Sequence, residues 1–267
     1  MADLLLVGGT GVLGGRIAER FAQRDVPFRA LVRPATDASP LRGLGAEVAR
    51  GDLTVPGTLP PALTGIRTVV TTANAIGRLL AGAKDLTIEA VDRRGNEALV
   101  RAAEAAGVQR FVFVAGYHHA PGMVERAPFA AAKMHAEEVL AASPMRSVVV
   151  RPAPFQETWL SPTTGLHLDR RLAIVHGKGR TPWPYVAVDD VAEAVVRLAL
   201  ADDPPADLDF GGPQRLTRHE VVNAVERASG ARFRRVSIPR PVLALGNRLM
   251  RRRNPARRGI LDAAVTE

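Results

Sequence analysis

The chain has 267 residues, enough for one large α/β domain or one domain with a small appendage, and with 46% of them apolar and 24% charged it has the profile of a soluble globular protein. It contains no cysteine, which excludes disulfides, thiolate metal sites and a cysteine nucleophile and makes a cytoplasmic location the expectation. The formal net charge of +9 is local: eleven arginines and no acid lie between Arg227 and Arg258, and removing those eleven charges leaves the remainder at −2.

The chain opens Met1-Ala2-Asp3-Leu4-Leu5-Leu6-Val7, with an acid where a secretory leader carries cations, so a first strand is expected rather than a leader. No apolar run approaches the ~20 residues that span a bilayer, and no membrane span is expected. The strand runs into Gly8-Gly9-Thr10-Gly11-Val12-Leu13-Gly14, with glycines spaced G-x-x-G-x-x-G. In a strand-to-helix turn the first glycine allows the sharp bend. The second lets a pyrophosphate approach the backbone, and the third lets helix pack on strand. The helix predicted over Leu13–Arg24 offers free N–H groups and a partial positive charge to a phosphate, and Thr10 can add a hydroxyl. The second strand, Phe28–Val32, ends at Arg33. An acid there would bind a ribose 2′-hydroxyl, whereas an arginine meets a 2′-phosphate. The nearest acid, Asp37, lies beyond Pro34, so NADP(H) is expected over NAD(H).

Further short apolar runs at Glu47–Ala49, Thr68–Thr72, Phe111–Val114 and Val148–Val150 predict strands covered on both faces. Helical patterns lie between them. In Glu89–Ala106 the residues Val91, Ala98, Leu99, Ala102 and Ala106 form the expected buried stripe, with Gly107 as the stop, and a further helix is expected over Ala130–Ala142. This alternation predicts right-handed βαβ units in a Rossmann-like, doubly wound parallel sheet over residues 1–152.

Past Arg151-Pro152 the composition shifts toward Pro, Trp, His and Gly. Asp189 or Asp190 is expected to cap a helix to about Ala201, Asp207–Phe210 to form a strand, and Thr217-Arg218-His219-Glu220 to make a capping box for a helix to Ser229. With a strand at Phe233–Ile238, residues 153–240 are expected to form a small α+β substrate lobe folded with the first domain. Residues 241–267 would be a basic helix or tail. That tail reads as solvated: it lacks aromatic interleaving and any known nucleic-acid module, so nucleic acid is not an expected partner. His167, Asp169 and His176 fit no metal-ligand spacing. Trp159, Trp183 and Tyr185 are candidates to wall an apolar pocket.

The order of these pieces resembles the atypical short-chain dehydrogenase/reductases, specifically the NmrA-like and isoflavone-reductase-like NAD(P)-binding proteins. The resemblance runs from Leu4 to about Pro239. It rests on Gly8–Gly14, Ala30-Leu31-Val32-Arg33, Gly51-Asp52-Leu53, Gly95-Asn96, Ala106-Gly107-Val108, Lys133, Arg151-Pro152, Val188-Asp189-Asp190-Val191-Ala192 and Gly211-Gly212-Pro213. It implies that Asp52 and Leu53 border the adenine and that Thr72, Ala73 and Asn74 line the cofactor. It also implies that Lys133 reaches the nicotinamide ribose and that the segment from Arg151 through Pro152 to Phe155 closes over the nicotinamide.

The departures bear on chemistry. Short-chain reductases carry a tyrosine four residues before the lysine; here the window is Phe129-Ala130-Ala131-Ala132-Lys133, and phenylalanine donates no proton. The usual serine or threonine after the fifth strand is also missing from Val114-Ala115-Gly116-Tyr117-His118-His119. Three readings stay open. Tyr117, His118 or His119 can supply the acid; Lys133 can be the acid/base itself; or the chain binds NADP(H) without turnover and reports its occupancy to a partner. The expectation is an NADPH-dependent oxidoreductase acting on a small apolar or carbonyl compound, as a monomer or homodimer. The alternative is a non-catalytic NADP(H)-sensing regulator.

Overall fold

The computed structural model describes residues 2–239 apart from 81, 84 and 117–126, together with residues 241–242. In chain order the elements are β1 (Leu4–Val7), α1 (Val12–Gln23), β2 (Arg29–Val32), α2 (Ser39–Gly43), β3 (Glu47–Arg50), α3 (Pro60–Leu63), β4 (Thr68–Thr71) and α4 (Ile76–Leu80). A π-helical turn (Glu89–Gly95) leads directly into α5 (Asn96–Ala105). There follow β5 (Arg110–Val114), α6 (Pro128–Ala141), β6 (Arg146–Pro152), α7 (Gln156–Trp159), β7 (Leu166–His167), β8 (Leu172–His176), α8 (Val188–Leu200), β9 (Asp207–Phe210), α9 (Arg218–Ser229) and β10 (Arg234–Ile238).

Seven strands pair in the order β3-β2-β1-β4-β5-β6-β9, every neighbour parallel. The order reverses beside β1, between β2 and β4, where an open sheet leaves a crevice at its carboxyl edge. Strand side chains alternate between two separate cores, as a two-residue period requires. Leu4 and Leu6 pack with Ile17 and Phe21 of α1 and with Val191 and Val195 of α8. Leu5 and Val7 pack on the other face with Leu63 of α3, Leu99 of α5 and Leu140 of α6. Both sheet faces are therefore dry, which is why the strands read as unbroken apolar runs.

The predicted elements are present with shifted ends. The main difference is the place of α8 and β9, which were expected in the C-terminal lobe. β9 pairs with β6, aligning Asp207 with Val149 and Phe210 with Pro152, and so is the outer strand of the main sheet. α8 packs against α1, and its Val191, Ala192, Val195 and Val196 fill the same core. The sheet therefore does not end at residue 152. What remains apart is a three-stranded sheet, β10-β8-β7, with β10 parallel to β8 and β8 antiparallel to β7. Its small core is Leu166, Ala173, Val222 and Phe233 under α9.

Two helix starts test the capping chemistry. The Thr217–Glu220 capping box is present in both directions, and α9 ends at Gly230 with φ +65°. At α8 the N-cap is Ala187, not Asp189 or Asp190. Both oxygens of Glu157 accept the Val188 N–H, at 3.0 and 3.1 Å, so a carboxylate 31 residues away does the capping. Asp189 instead faces Arg16 and Arg20 of α1. Among the described residues no helix is long and apolar enough to cross a membrane.

Candidate functional site

β1 ends at Val7 and the chain turns at Gly8, whose φ of +92° is the left-handed region that favours glycine. A Cβ there would also lie 2.6 Å from Thr72 Oγ1 and 2.9 Å from the Ala73 nitrogen. Gly11 N–H closes the turn onto Gly8 O at 2.9 Å. α1 starts with glycine as its N-cap, no side-chain cap and no acid in its first turn, and Val12 beside it is 73% exposed. Its first N–H groups thus point outward with no side chain to accept them. Gly14 lies against this turn: a Cβ on it would collide with Gly8 O and sit 2.7 Å from the Gly8 carbonyl carbon. The result is a cradle of backbone N–H groups at a positive helix end, floored by Thr72 and Ala73 from the end of β4, and a pyrophosphate fits it. Thr10 lies exposed at its rim and Leu13 is buried behind it.

Arg33 follows β2, half-buried, on a turn closed by Thr36 N–H to Arg33 O at 3.0 Å. Arg50, at the end of neighbouring β3, donates from one guanidinium nitrogen to Arg33 O (2.9 Å) and to Thr36 O (2.7 Å). Its cation braces the turn that carries Arg33, a partner that sequence reasoning did not single out. Asp37 is turned onto Ser39 N–H at 2.9 Å, and that bond holds its carboxyl below the usual range. Asp52 is similarly occupied, accepting Thr54 N–H (2.8 Å) and the Thr54 hydroxyl (2.7 Å), while Leu53 is buried against Gly95. Thr72 and Ala73 are half-buried and Asn74 is exposed, its Oδ1 accepting Ile76 N–H.

Lys133 projects from α6 into the sheet and is 2% exposed. Its Nζ donates to Val114 O at 3.0 Å and lies 4.7 Å from the ring centre of Phe113 and 5.6 Å from that of Phe129. The phenylalanine in the tyrosine position is therefore a cation–π neighbour of the lysine. Burial lowers the proton affinity of Lys133, opposed by the negative charges of Asp92 and Glu137. Asp92 was not singled out in the sequence. It is wholly buried on the π turn, its Oδ2 accepts Ala75 N–H at 3.0 Å, and burial pushes its carboxyl up to about 6 against the pull of Lys133. The signal for it was an acid and an amide, Asp92 and Asn96, on the helical stripe that continues through Leu99 and Ala103.

Tyr117, His118 and His119 lie outside the described residues. Arg151 is tied to Glu137 (2.7 Å) and Asp207 (3.1 Å), and Pro152 is buried in register with Phe210, so this segment anchors β6 between α6 and β9. Trp159, Trp183 and Tyr185 do converge, with His176, Thr164 and Arg218, but around a cavity of only about 20 Å³, room for one water. Burial and the Arg218 charge keep the His176 imidazole below its ordinary proton affinity. Among the described residues no group of histidines and acids could hold a metal.

The profile of a family described as NAD(P)H-binding matches residues 8–203. The chain is 31% identical over 237 residues to an NAD(P)H azoreductase of Xenophilus azovorans, covering 88% of this chain and 77% of that protein. It is 30% identical over 252 residues to the chloroplastic protein high chlorophyll fluorescence phenotype 244 of Arabidopsis thaliana, covering 93% of this chain; the match spans 61% of the length of that relative. The NADPH complex of a quinone oxidoreductase, QOR2 of Escherichia coli, shares the fold, with a TM-score of 0.79 at 19% identity over 98% of this chain and 88% of that one.

Proposed function

The chain belongs to the NAD(P)H-binding family, and from that premise we propose that it is an oxidoreductase that prefers NADPH and reduces a small apolar or carbonyl-bearing compound. The observation that carries the cofactor is the uncapped glycine cradle, whose Cβ positions are closed by Gly8 O, Thr72 and Ala73 and whose helix start holds no acid. The observation that favours the 2′-phosphate is Arg33 on a turn held by Arg50, with Asp37 drawn away to Ser39. An arginine fork suits a phosphate and repels nothing in the phosphorylated ribose.

The site residues take the following proposed roles. Gly8, Thr10, Gly11, Val12, Leu13 and Gly14 form the pyrophosphate cradle, Arg33 meets the 2′-phosphate, Asp52 and Leu53 border the adenine, and Thr72, Ala73 and Asn74 line the path to the nicotinamide. When bound, the dinucleotide supplies a hydride. Lys133 holds the cation at the far end of this path, Pro152 at the end of β6 borders the site, and Tyr117 and His118 are the further candidates to hand a proton to product.

The test is a binding titration with NADPH and NADH on the wild type and Arg33→Ala, followed by NADPH consumption with quinones, azo compounds, enals and ketones. Arg33→Ala should cost NADPH affinity by about tenfold or more, the scale of one charge-assisted contact, and leave NADH nearly unchanged. Equal loss for both dinucleotides refutes the 2′-phosphate assignment. A second reading, a cofactor-sensing protein without turnover, is favoured by Phe129 in the proton-donor position. Tight NADPH binding with no consumption across the panel would select it.

A further inference from the structure

The small sheet, which carries no part of the cofactor cradle, ends on an open edge. Among the described strands β10 pairs with β8 alone, so its other side faces outward. The register fixes which peptide groups lie on that side. Arg234 N–H donates to Arg171 O at 2.8 Å, and Ile238 O accepts Gly177 N–H at 3.0 Å. Both bonds run across to the β8 side, so Arg234, Val236 and Ile238 bond inward. The main-chain groups of Arg235 and Ser237 point the other way, along the outer edge.

Cations stand on both faces of this edge. Where α9 ends beside the start of β10, an open hollow of about 780 Å³ is lined by Arg227, Arg232 and Arg235 above Phe233. The one acid in its lining, Glu226, is committed: its Oε1 accepts Phe233 N–H and its Oε2 accepts Arg235, both at 2.7 Å. Arg227 and Arg232 are exposed, and among the described residues their side chains make no hydrogen bond or ion pair. Arg234, also exposed, takes the opposite face by the alternation of the strand. No acid follows Glu226 until Asp262. Like charges keep two such edges from pairing with each other and leave them open to a strand of opposite charge. We propose that this edge of β10 docks an extended acidic segment of a partner protein, which adds as a further strand and lays its carboxylates against Arg227, Arg232 and Arg234. A nucleic acid suits it less well: the hollow has a single aromatic, Phe233, which is buried and offers no face for a base to stack on.

The experiment titrates the full chain, by fluorescence anisotropy, with a labelled short peptide of alternating glutamate and threonine. Its N-methylated counterpart keeps the charge and loses the main-chain N–H groups, and a lysine–threonine peptide reverses the charge. The acidic peptide should bind at least about tenfold more tightly than the N-methylated one, the scale of one or two main-chain hydrogen bonds, and the lysine peptide should not bind. Ser237→Pro removes an outward N–H and leaves the bonds to β8 in place, so it should weaken the acidic peptide by about tenfold. Arg232→Glu combined with Arg234→Glu should abolish binding. Arg251→Gln, Arg252→Gln and Arg253→Gln together, which neutralise part of the tail, should change little.

Equal binding of the two acidic peptides would mean attraction by charge alone and overturns strand addition, as does a loss that follows the tail arginines instead of Arg232 and Arg234. No binding of the acidic peptide overturns the site. Tighter binding of an oligothymidylate or of phosphatidylglycerol vesicles, weakened by the same lobe variants, would assign the surface to another class of partner. Dimerisation of the chain that Ser237→Pro abolishes would assign the edge to a second copy. Should Ser237→Pro not fold, the comparison of the two acidic peptides on the wild type decides.

Discussion

Gly14 and Gly15 are adjacent glycines of α1 whose replacement by alanine should have opposite effects. At Gly14 the new methyl would overlap Gly8 O and lie 2.7 Å from the Gly8 carbonyl carbon and 2.9 Å from Gly9 Cα. Carbon–carbon contacts settle at roughly 3.5–4.0 Å, so backbone must separate by about 1 Å. The turn cannot retreat, because Gly8 already lies against Thr72 and Ala73 on its other side. Overpacking of this kind costs about 1–3 kcal/mol, and the gain of alanine over glycine in a helix offsets at most about 1 kcal/mol of it. At Gly15 the nearest atom is Gly9 O at 3.7 Å, an ordinary contact, so only the gain applies. Urea unfolding without ligand should therefore show Gly14→Ala less stable than wild type by about 1–2 kcal/mol and Gly15→Ala more stable by up to about 1 kcal/mol. Gly14→Ala should also lose NADPH affinity, since moving the turn moves its N–H groups. If both alanines stabilise alike, the close fit of helix start to turn is not what Gly14 is for.

Three more outcomes are expected. Arg50→Ala removes the brace on the turn at 33–36 and should weaken NADPH binding several-fold, with NADH and unfolding free energy little changed because the side chain is exposed; a titration of both dinucleotides decides it. Glu157→Ala strips the acceptor from the first N–H of α8 and should cost about 1 kcal/mol in urea, the usual worth of an N-cap, whereas Glu157→Gln should recover most of it. The Asp92 carboxyl, raised to about 6 from its ordinary 3.8, favours the fold when protonated, so its contribution is full below pH 3.8 and is lost as pH rises through 6. That loss amounts to about 3 kcal/mol, and Asp92→Asn should flatten unfolding free energy against pH over this window; an unchanged slope would clear Asp92 of the effect.

Much of the fold was legible because two-sided burial leaves a plain mark: Leu4–Val7 and Arg110–Val114 are apolar at nearly every position, and the helices between them carry one greasy face each. The limit of the main sheet was not legible. Asp207-Leu208-Asp209-Phe210 alternates, as an edge strand with one wet face must, so nothing in it distinguishes an outer strand of the large sheet from a strand of a small lobe. The cap of α8 was misplaced for a related reason. Acids beside a helix start are the local signal, but the free N–H of Val188 is met by Glu157, and a contact across 31 residues has no sequence signature.

The site divides along the same line. Glycine spacing and a strand-terminal arginine are written locally, because turn geometry and phosphate recognition each occupy a few consecutive residues. Asp92 and Lys133 are 41 positions apart on separate elements, the π turn and α6, which pack together, and no local motif marks either side chain as buried. Their burial has a physical consequence that local motifs do not carry. A fold selected for stability alone would replace an acid that disfavours its own charged state, since an amide fills the same space and keeps the bond to Ala75. Asp92 is nonetheless an acid, wholly buried, on a turn packed against the helix that carries the buried Lys133, in a chain that holds Phe129 four residues before that lysine. The rings of Phe113 and Phe129 stand 4.7 and 5.6 Å from its Nζ, and with the bond to Val114 O they enclose the ammonium and exclude water from it.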